Sequence, residues 1–276
     1  MTMDTQFIVF TDLDGTLLDS NNYSYEPAIP GIKRLKDEKI PLIPVTSKTL
    51  SEVQVLLYVL KLRSPIVVEN GALIAFPKGY FAKYEEAAID LESDGDMNIL
   101  RFGLQYSNIR DILMRIRAAH SFDFLGFGDM STAQISQASG LSLNKASQAK
   151  VRTGSEPIIW NDSEHALELF QNELKLNALK LTSGGRFRTV VGDNDKGQAV
   201  QQLTQLYQKK YGNNLATIGL GDSLNDESMF SVVNTPVVVR QADGSVADFG
   251  EQHFYLTKGI GPVGWNEFIQ LFLDRN

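Results

Sequence analysis

One feature constrains this chain more than any other: short apolar runs alternate with amphipathic segments, and the apolar runs stop at residues that carry chemistry. Phe7 to Thr11 is β-branched and aromatic and ends at Asp12-Leu13-Asp14-Gly15, which reads as a buried strand passing into a loop. After Pro27, Ile29, Ile32 and Leu35 recur at helical spacing as far as Lys39. Leu42 to Val45 is a second short strand, closed by Thr46-Ser47-Lys48-Thr49. Thr49 or Ser51 can cap a helix carrying Val53, Leu56, Leu57 and Leu60. Pro65 to Val68 is a third strand, followed by Glu69-Asn70-Gly71. Successive parallel strands need helical crossovers, so this order predicts a parallel sheet with helices packed on its faces.

The rhythm breaks after about residue 83. A helical stretch spans Gln105 to Ala119, and shorter ones span Ser131 to Ala138 and Leu143 to Ala149. Strand-like runs at Pro157 to Trp160 and Ala178 to Thr182 flank a helix from Ser163 to Leu174, and the polar stretch Asp90 to Asn98 reads as a linker or loop. The α/β rhythm then resumes: helix from Asp195 to Tyr211, strand from Ala216 to Leu220, short helix from Leu224 to Val232, strand from Pro236 to Arg240, helix from Gly261 to Leu273. The expected fold class is therefore α/β, with a doubly wound parallel-sheet core of residues 1–83 and 191–276 and an α+β domain inserted at 84–190.

Composition narrows the chemistry. The 276 residues contain no cysteine, which excludes disulfides, thiol catalysis and thiolate zinc sites. The formal net charge of −7 disfavours nucleic acid and anionic membranes as partners, although a pocket can still be locally basic. The apolar run Phe7-Ile8-Val9-Phe10 is too short for a signal peptide or a membrane span, so the expected location is the cytoplasm.

Ligands of open α/β sheets bind beyond the carboxyl ends of the strands. Asp12 and Asp14 follow the first strand, Thr46 the second and Gly221-Asp222 the strand at Ala216 to Leu220, so these distant residues should converge, with Lys196 joining from a helix start. Clustered carboxylates repel one another unless a cation sits among them, and an all-oxygen donor set suits Mg²⁺. A phosphoryl group then needs donors and positive charge, which Thr46 and Lys196 offer. The three histidines lie away from these strand ends. A carboxylate can serve as nucleophile: Asp12 is best placed, directly at the strand end, and Asp14 can serve as acid and base.

Asp12-Leu13-Asp14-Gly15-Thr16-Leu17 resembles the first motif of the haloacid dehalogenase superfamily of phosphatases. Thr46 is similar to its second motif, Lys196 to its third, and Gly221-Asp222-Ser223-Leu224-Asn225-Asp226 to its fourth. The insertion is similar to the cap of the subgroup with an α+β cap. Further segments, Thr46-Ser47-Lys48-Thr49, Glu69-Asn70-Gly71-Ala72, Thr132 to Leu141, Ala149 to Arg152, Glu156-Pro157 and Gly184-Gly185-Arg186-Phe187, resemble the mannosyl-3-phosphoglycerate phosphatases. The resemblance implies hydrolysis of a small phosphorylated glycosyl-glycerate through an aspartyl phosphate. It implies catalytic Asp12, Asp14, Thr46 and Lys196, and metal binding by Asp12, Asp14 and Asp222. Asp226 either ligates the metal or supports its ligands. Substrate contacts are expected from Ser47, Lys48, Asn70, Lys150, Arg152, Gly185 and Arg186, although Lys150 and Arg152 also read as a solvated basic stretch and Asn70 as a turn closer.

Other readings remain open at this level. A glucosyl analogue or a broader range of sugar phosphates can replace the mannosyl substrate. A phosphosugar mutase would retain the phosphate on the sugar. A catalytically dead binding module would have no use for Asp12, Asp14, Lys196 and Asp222 together.

Overall fold

The computed structural model describes residues 5–81, 91–184, 187–250 and 253–275. The first stretch runs β1 (Gln6–Thr11), α1 (Ile29–Asp37), β2 (Leu42–Pro44), α2 (Leu50–Leu60), β3 (Ile66–Val68) and β4 (Leu73–Pro77). Next come β5 (Glu92–Asp94), β6 (Met97–Arg101), α3 (Tyr106–His120), β7 (Phe124–Gly126), α4 (Thr132–Ser139), α5 (Leu143–Lys150), β8 (Ser155–Trp160), α6 (Glu164–Leu176), β9 (Leu179–Gly184) and β10 (Phe187–Gly192). The chain closes with α7 (Lys196–Tyr211), β11 (Leu215–Gly221), α8 (Glu227–Phe230), β12 (Thr235–Arg240), β13 (Tyr255–Ile260) and α9 (Gly261–Leu273).

Five parallel strands form the main sheet in the order β13-β12-β11-β1-β2. Alternation along β1 explains how the sheet is covered. Val9 faces one side, where it packs with Ile32 and Leu35 of α1, Val53 and Leu57 of α2, and Trp265 and Ile269 of α9. Ile8 and Phe10 face the other, against Ala199, Val200, Leu203 and Tyr207 of α7 and Met229 and Phe230 of α8. A strand buried on both faces carries a continuous apolar run, as Phe7 to Phe10 does. This doubly wound sheet matches the expected class, and β1 lies in its interior with β11 and β2 on either side.

A single parallel bridge, Val45 to Val67, hands the sheet on to β3, which opens an antiparallel sheet in the order β3-β4-β6-β5. A separate antiparallel sheet, β7-β8-β10-β9, stands over the strand ends. Its strands present Phe124, Ile158 and Val190 to α3 and α6 on one face. Phe127, Ile159 and Phe187 meet α4 and α5 on the other.

The polar stretch expected to be a linker or loop is instead largely a hairpin. Asp94 and Met97 pair across a turn in which Gly95 takes φ 55°, and β6 lies against β4. The misreading has a simple cause: β5 is an edge strand whose three residues are all exposed, so it carries no apolar pattern. Because β5 and β6 pair with the β3–β4 sheet, the layer that stands apart begins only with α3. The helix expected at Leu224 to Val232 is a 3₁₀ turn, Leu224–Asp226, followed by the single turn of α8.

Candidate active site

β1, β2 and β11 end side by side, and their last residues build the site. The Asp12 amide donates to the Leu220 carbonyl at 2.8 Å, so the first acidic residue is fixed by the ladder itself. A tight turn follows, in which Leu18 N–H and Thr16 N–H both donate to the Leu13 carbonyl. Gly15 makes the turn possible: it adopts φ +84°, and a Cβ there would come within 2.6 Å of an Asp222 carboxylate oxygen.

Lys196, the first residue of α7, is 1% exposed. A buried ammonium is costly unless paired. Here it donates to Asp12 Oδ1 at 2.7 Å and Asp226 Oδ1 at 2.6 Å. The other oxygen of Asp226 accepts from the Asp222 and Ser223 amides at 3.0 and 3.1 Å. That bracing needs close approach, and a Cβ at Gly221 would fall 2.5 Å from Asp226 Oδ2. Asp222 accepts from the Thr16 hydroxyl at 3.1 Å through Oδ1. Among the described residues no group donates to Asp12 Oδ2 or Asp222 Oδ2, which leaves each side chain one oxygen for a ligand.

Asp12, Asp222 and Asp226 bring carboxylate oxygens within 4.8 Å of one another. Burial pushes the Asp12 carboxyl up to about 7; Lys196 opposes this, while Asp226 and Asp14 add to it. Burial also raises Asp222, to about 8, with Asp12 and Asp226 adding to it. For Lys196, burial works against the charge but the two carboxylates outweigh it, and the ammonium is held above its usual range. One lysine therefore does not neutralise three buried carboxylates. The donors are hard oxygens with no imidazole or thiolate, which fits a hard divalent cation.

The structure brings together Asp12, Asp222, Asp226 and Lys196. The Asp14 side chain is turned elsewhere: its Oδ2 pairs with Lys48 Nζ at 2.8 Å. Its Oδ1 is buried and has no partner among the described residues. Lys48 also lies 4.0 Å from Glu52 and 4.9 Å from the Tyr23 ring centroid. Burial alone would lower the Lys48 ammonium, but Asp14 and Glu52 outweigh it and raise it. Thr46 is buried after β2, where its hydroxyl accepts from the Lys48 amide at 3.2 Å. Asn70 has φ 56° and closes the turn after β3; its side-chain oxygen accepts from Asn225 at 3.2 Å, tying that turn to the Asp222–Asp226 loop.

A cleft of about 360 Å³ opens between the strand ends and the upper sheet. Asp14, Gly15, Ser47, Lys48, Asp222 and Ser223 line its floor. Phe127, Leu141, Arg152, Phe187 and Thr189 line its roof. Asp12, 5% exposed, lies just beneath the floor. Lys150 does not reach the cleft, because its ammonium donates to the Met130 carbonyl inside the upper layer. Arg152 does reach it, donating from Nη1 to the Ser47 carbonyl at 2.9 Å on the way. Gly185 and Arg186 lie outside the described residues. Sequence reasoning missed Glu52, Tyr23 and Glu69. Glu52 left a signal three residues after Thr49 in a capping box, and Glu69 one in the segment Glu69-Asn70-Gly71-Ala72.

Residues 9–94 and 136–249 match the family described as haloacid dehalogenase-like hydrolase. A protein of Methanococcoides burtonii called glucosyl-3-phosphoglycerate/mannosyl-3-phosphoglycerate phosphatase is 38% identical over 274 residues, 98% of either chain. One of the same description from Persephonella marina is 36% identical over 97% of either chain. Among solved structures, the sucrose-phosphatase of Synechocystis sp. PCC6803, in complex with sucrose and phosphate, aligns over 98% of both chains with a TM-score of 0.62 at 18% identity. A Thermoplasma acidophilum protein aligns over 98% of this chain and 99% of its own, with a TM-score of 0.66 at 16% identity. The last two are alike in fold alone.

Proposed function

The chain belongs to the haloacid dehalogenase-like hydrolase family, and we propose that within it Asp12 is the nucleophile of a cation-dependent phosphatase specific for glycosyl-3-phosphoglycerates. It is a phosphoric monoester hydrolase. One observation carries the choice of nucleophile. Asp12 is held by Lys196 through Oδ1 while Oδ2 stays uncommitted among the described residues, at the end of an interior strand beneath the cleft.

In this reading Asp12 Oδ2 attacks phosphorus, the ester oxygen leaves, and Asp14 protonates it. Asp14, now a carboxylate, takes a proton from water as that water attacks the phosphorus of the aspartyl phosphate, releasing inorganic phosphate and restoring Asp12. Lys196 and Thr46 supply the charge and the hydroxyl that steady the phosphoryl oxygens. Asp12 and Asp222 would hold the cation, taken to be Mg²⁺, with Asp226 aligning the Asp222 loop through its backbone amides. When bound, that cation supplies the positive charge that offsets the phosphoryl oxygens and the clustered carboxylates.

The layer from α3 to β10 serves as a cap that roofs the cleft. Lys48 and Arg152 are the cations among the described lining residues, and Lys48 is already paired with Asp14. Among the described residues Arg152 is therefore the lining cation left to meet a substrate carboxylate. The relatives' names support a glucosyl or mannosyl-3-phosphoglycerate, which carries such a carboxylate. Phosphate release should be measured from mannosyl-3-phosphoglycerate, glucosyl-3-phosphoglycerate and mannose 6-phosphate, before and after chelation. The reading expects at least about tenfold higher kcat/KM for the two carboxylated esters, the worth of one charge-assisted hydrogen bond. Activity should be lost on chelation and restored by Mg²⁺. Equal or better turnover of mannose 6-phosphate would remove the substrate and leave the phosphatase.

A further inference from the structure

Glu69 is a fully buried carboxylate for which the chemistry above has no use. It follows β3 in the core, yet all four hydrogen bonds to its carboxylate come from the cap segment after α5. Oε1 accepts from the Thr153 amide at 2.9 Å and its hydroxyl at 2.7 Å. Oε2 accepts from the Gly154 amide at 3.0 Å and the Ser155 hydroxyl at 2.7 Å. The backbone is strained to hold it there, since Glu69 has φ 51° and Asn70 φ 56°, a region that L-residues with side chains seldom enter. Strain of this kind persists where surrounding contacts enforce it, and it clusters at functional sites.

These bonds lead directly to Arg152. The Ser155 hydroxyl gives its proton to Glu69, so its lone pair faces Arg152, whose Nη1 donates to it at 3.3 Å. Nη1 also donates to the Ser47 carbonyl, and Nε donates to the Ala149 carbonyl at 2.9 Å. The guanidinium is thus clamped on two of its three nitrogens, and among the described residues nothing accepts from Nη2. A guanidinium locked this way can offer its remaining donors to an anion at little further cost in side-chain entropy.

We propose that Glu69 is a positioning residue for Arg152, so that selectivity for phosphate esters bearing a second anionic group is set by a buried core carboxylate acting through Ser155. This deepens the reading given under Proposed function and rests on it.

The readout is the ratio of kcat/KM for mannosyl-3-phosphoglycerate to that for mannose 6-phosphate, measured in a double-mutant cycle. Glu69→Gln puts an NH₂ where an oxygen faces donors, and it should lower the ratio about tenfold, mainly through KM for the carboxylated ester. Arg152→Ala should lower it by a similar factor, and the double variant by no more than either alone. Thermal unfolding establishes that each variant is folded. Should Glu69→Gln fail to fold, Ser155→Ala removes the link alone and should lower the ratio in the Arg152 protein but not in Arg152→Ala. Equal losses from Glu69→Gln with and without Arg152, or an unchanged ratio in a folded variant, would overturn the positioning role and leave the substrate reading intact. A ratio near one in the unmodified enzyme would overturn both.

Discussion

Asp12 and Asp14 are two residues apart in sequence, and the fold gives them opposite neighbours. Asp12 meets Lys196 from α7, whereas Asp14 meets Lys48 from the end of β2. Asp12→Asn should abolish turnover while the protein stays folded, and a fluoroberyllate adduct of the unmodified enzyme should be found on Asp12 by crystallography. Asp14→Asn should retain a nucleophile but lose about 10²–10⁴-fold in kcat/KM for poor leaving groups, the usual worth of proton transfer. An aryl phosphate, whose leaving group needs no proton, should lose far less in kcat/KM, which reports phosphoryl transfer to Asp12 and not the later hydrolysis that needs Asp14 as base, and a flat kcat/KM response across leaving groups would exclude Asp14 as the acid. Gly15→Ala tests the packing of the same turn. Its Cβ would overlap the Asp222 carboxylate, so the variant should require a much higher Mg²⁺ concentration for half-maximal activity.

At the scale of elements, the site is made of ends. The N-terminus of α2 is closed by a capping box in which Thr49 accepts from the Glu52 amide and Glu52 accepts from the Thr49 amide. The Thr49 hydroxyl also donates to the Gln148 carbonyl of α5 at 3.1 Å, so the cap of one helix becomes a tie between the two layers. Thr49→Ala should cost about 1 kcal/mol of stability in denaturant unfolding, the ordinary worth of an N-cap. Loss of the α5 tie should additionally raise amide exchange in residues 143–150 relative to α7, which a pure helix-cap defect would leave unchanged. Two further core-to-cap ties, at Ser47 and Glu69, leave from the segments that follow β2 and β3.

For the whole molecule the consequence is a coupling of stability to pH and to cations. Asp12 and Asp222 have folded-state values of about 7 and about 8, above the ordinary carboxylate value of 3.8. The folded protein without cation therefore binds more protons than the unfolded chain between these limits. Its stability, fully present near pH 3.8, should fall as pH rises to about 8 as far as these groups determine it. Thermal unfolding of the chelated protein should show this slope, and Asp222→Asn should reduce it. Added Mg²⁺ should raise Tm more at pH 8 than at pH 6, because protons compete for the same oxygens. The opposite order would show that the cation binds elsewhere.

Local pattern alone specifies the parallel core and the edge at which its strands end. Buried strands must be apolar throughout, helices that cover them must repeat at helical spacing, and strand ends in such a sheet point into one crevice. Asp12 and Asp222 could thus be expected at one crevice from local pattern alone, and the structure sets them together with Lys196. The hairpin of β5 and β6 stayed hidden because an exposed edge strand carries no apolar signature. The separate fates of Lys150 and Arg152, two residues apart in one basic stretch, were likewise invisible: one is spent on the Met130 carbonyl and the other reaches across to Ser47. Glu69 is the clearest case. A glutamate before Asn-Gly reads as a polar turn, and only the docking of residues 153–155 against the end of β3 supplies the four donors that make it a buried, fully satisfied anchor. Patterns along a chain record which face is buried, but the partner of a buried charge comes from another part of the sequence, and tertiary contact alone decides it.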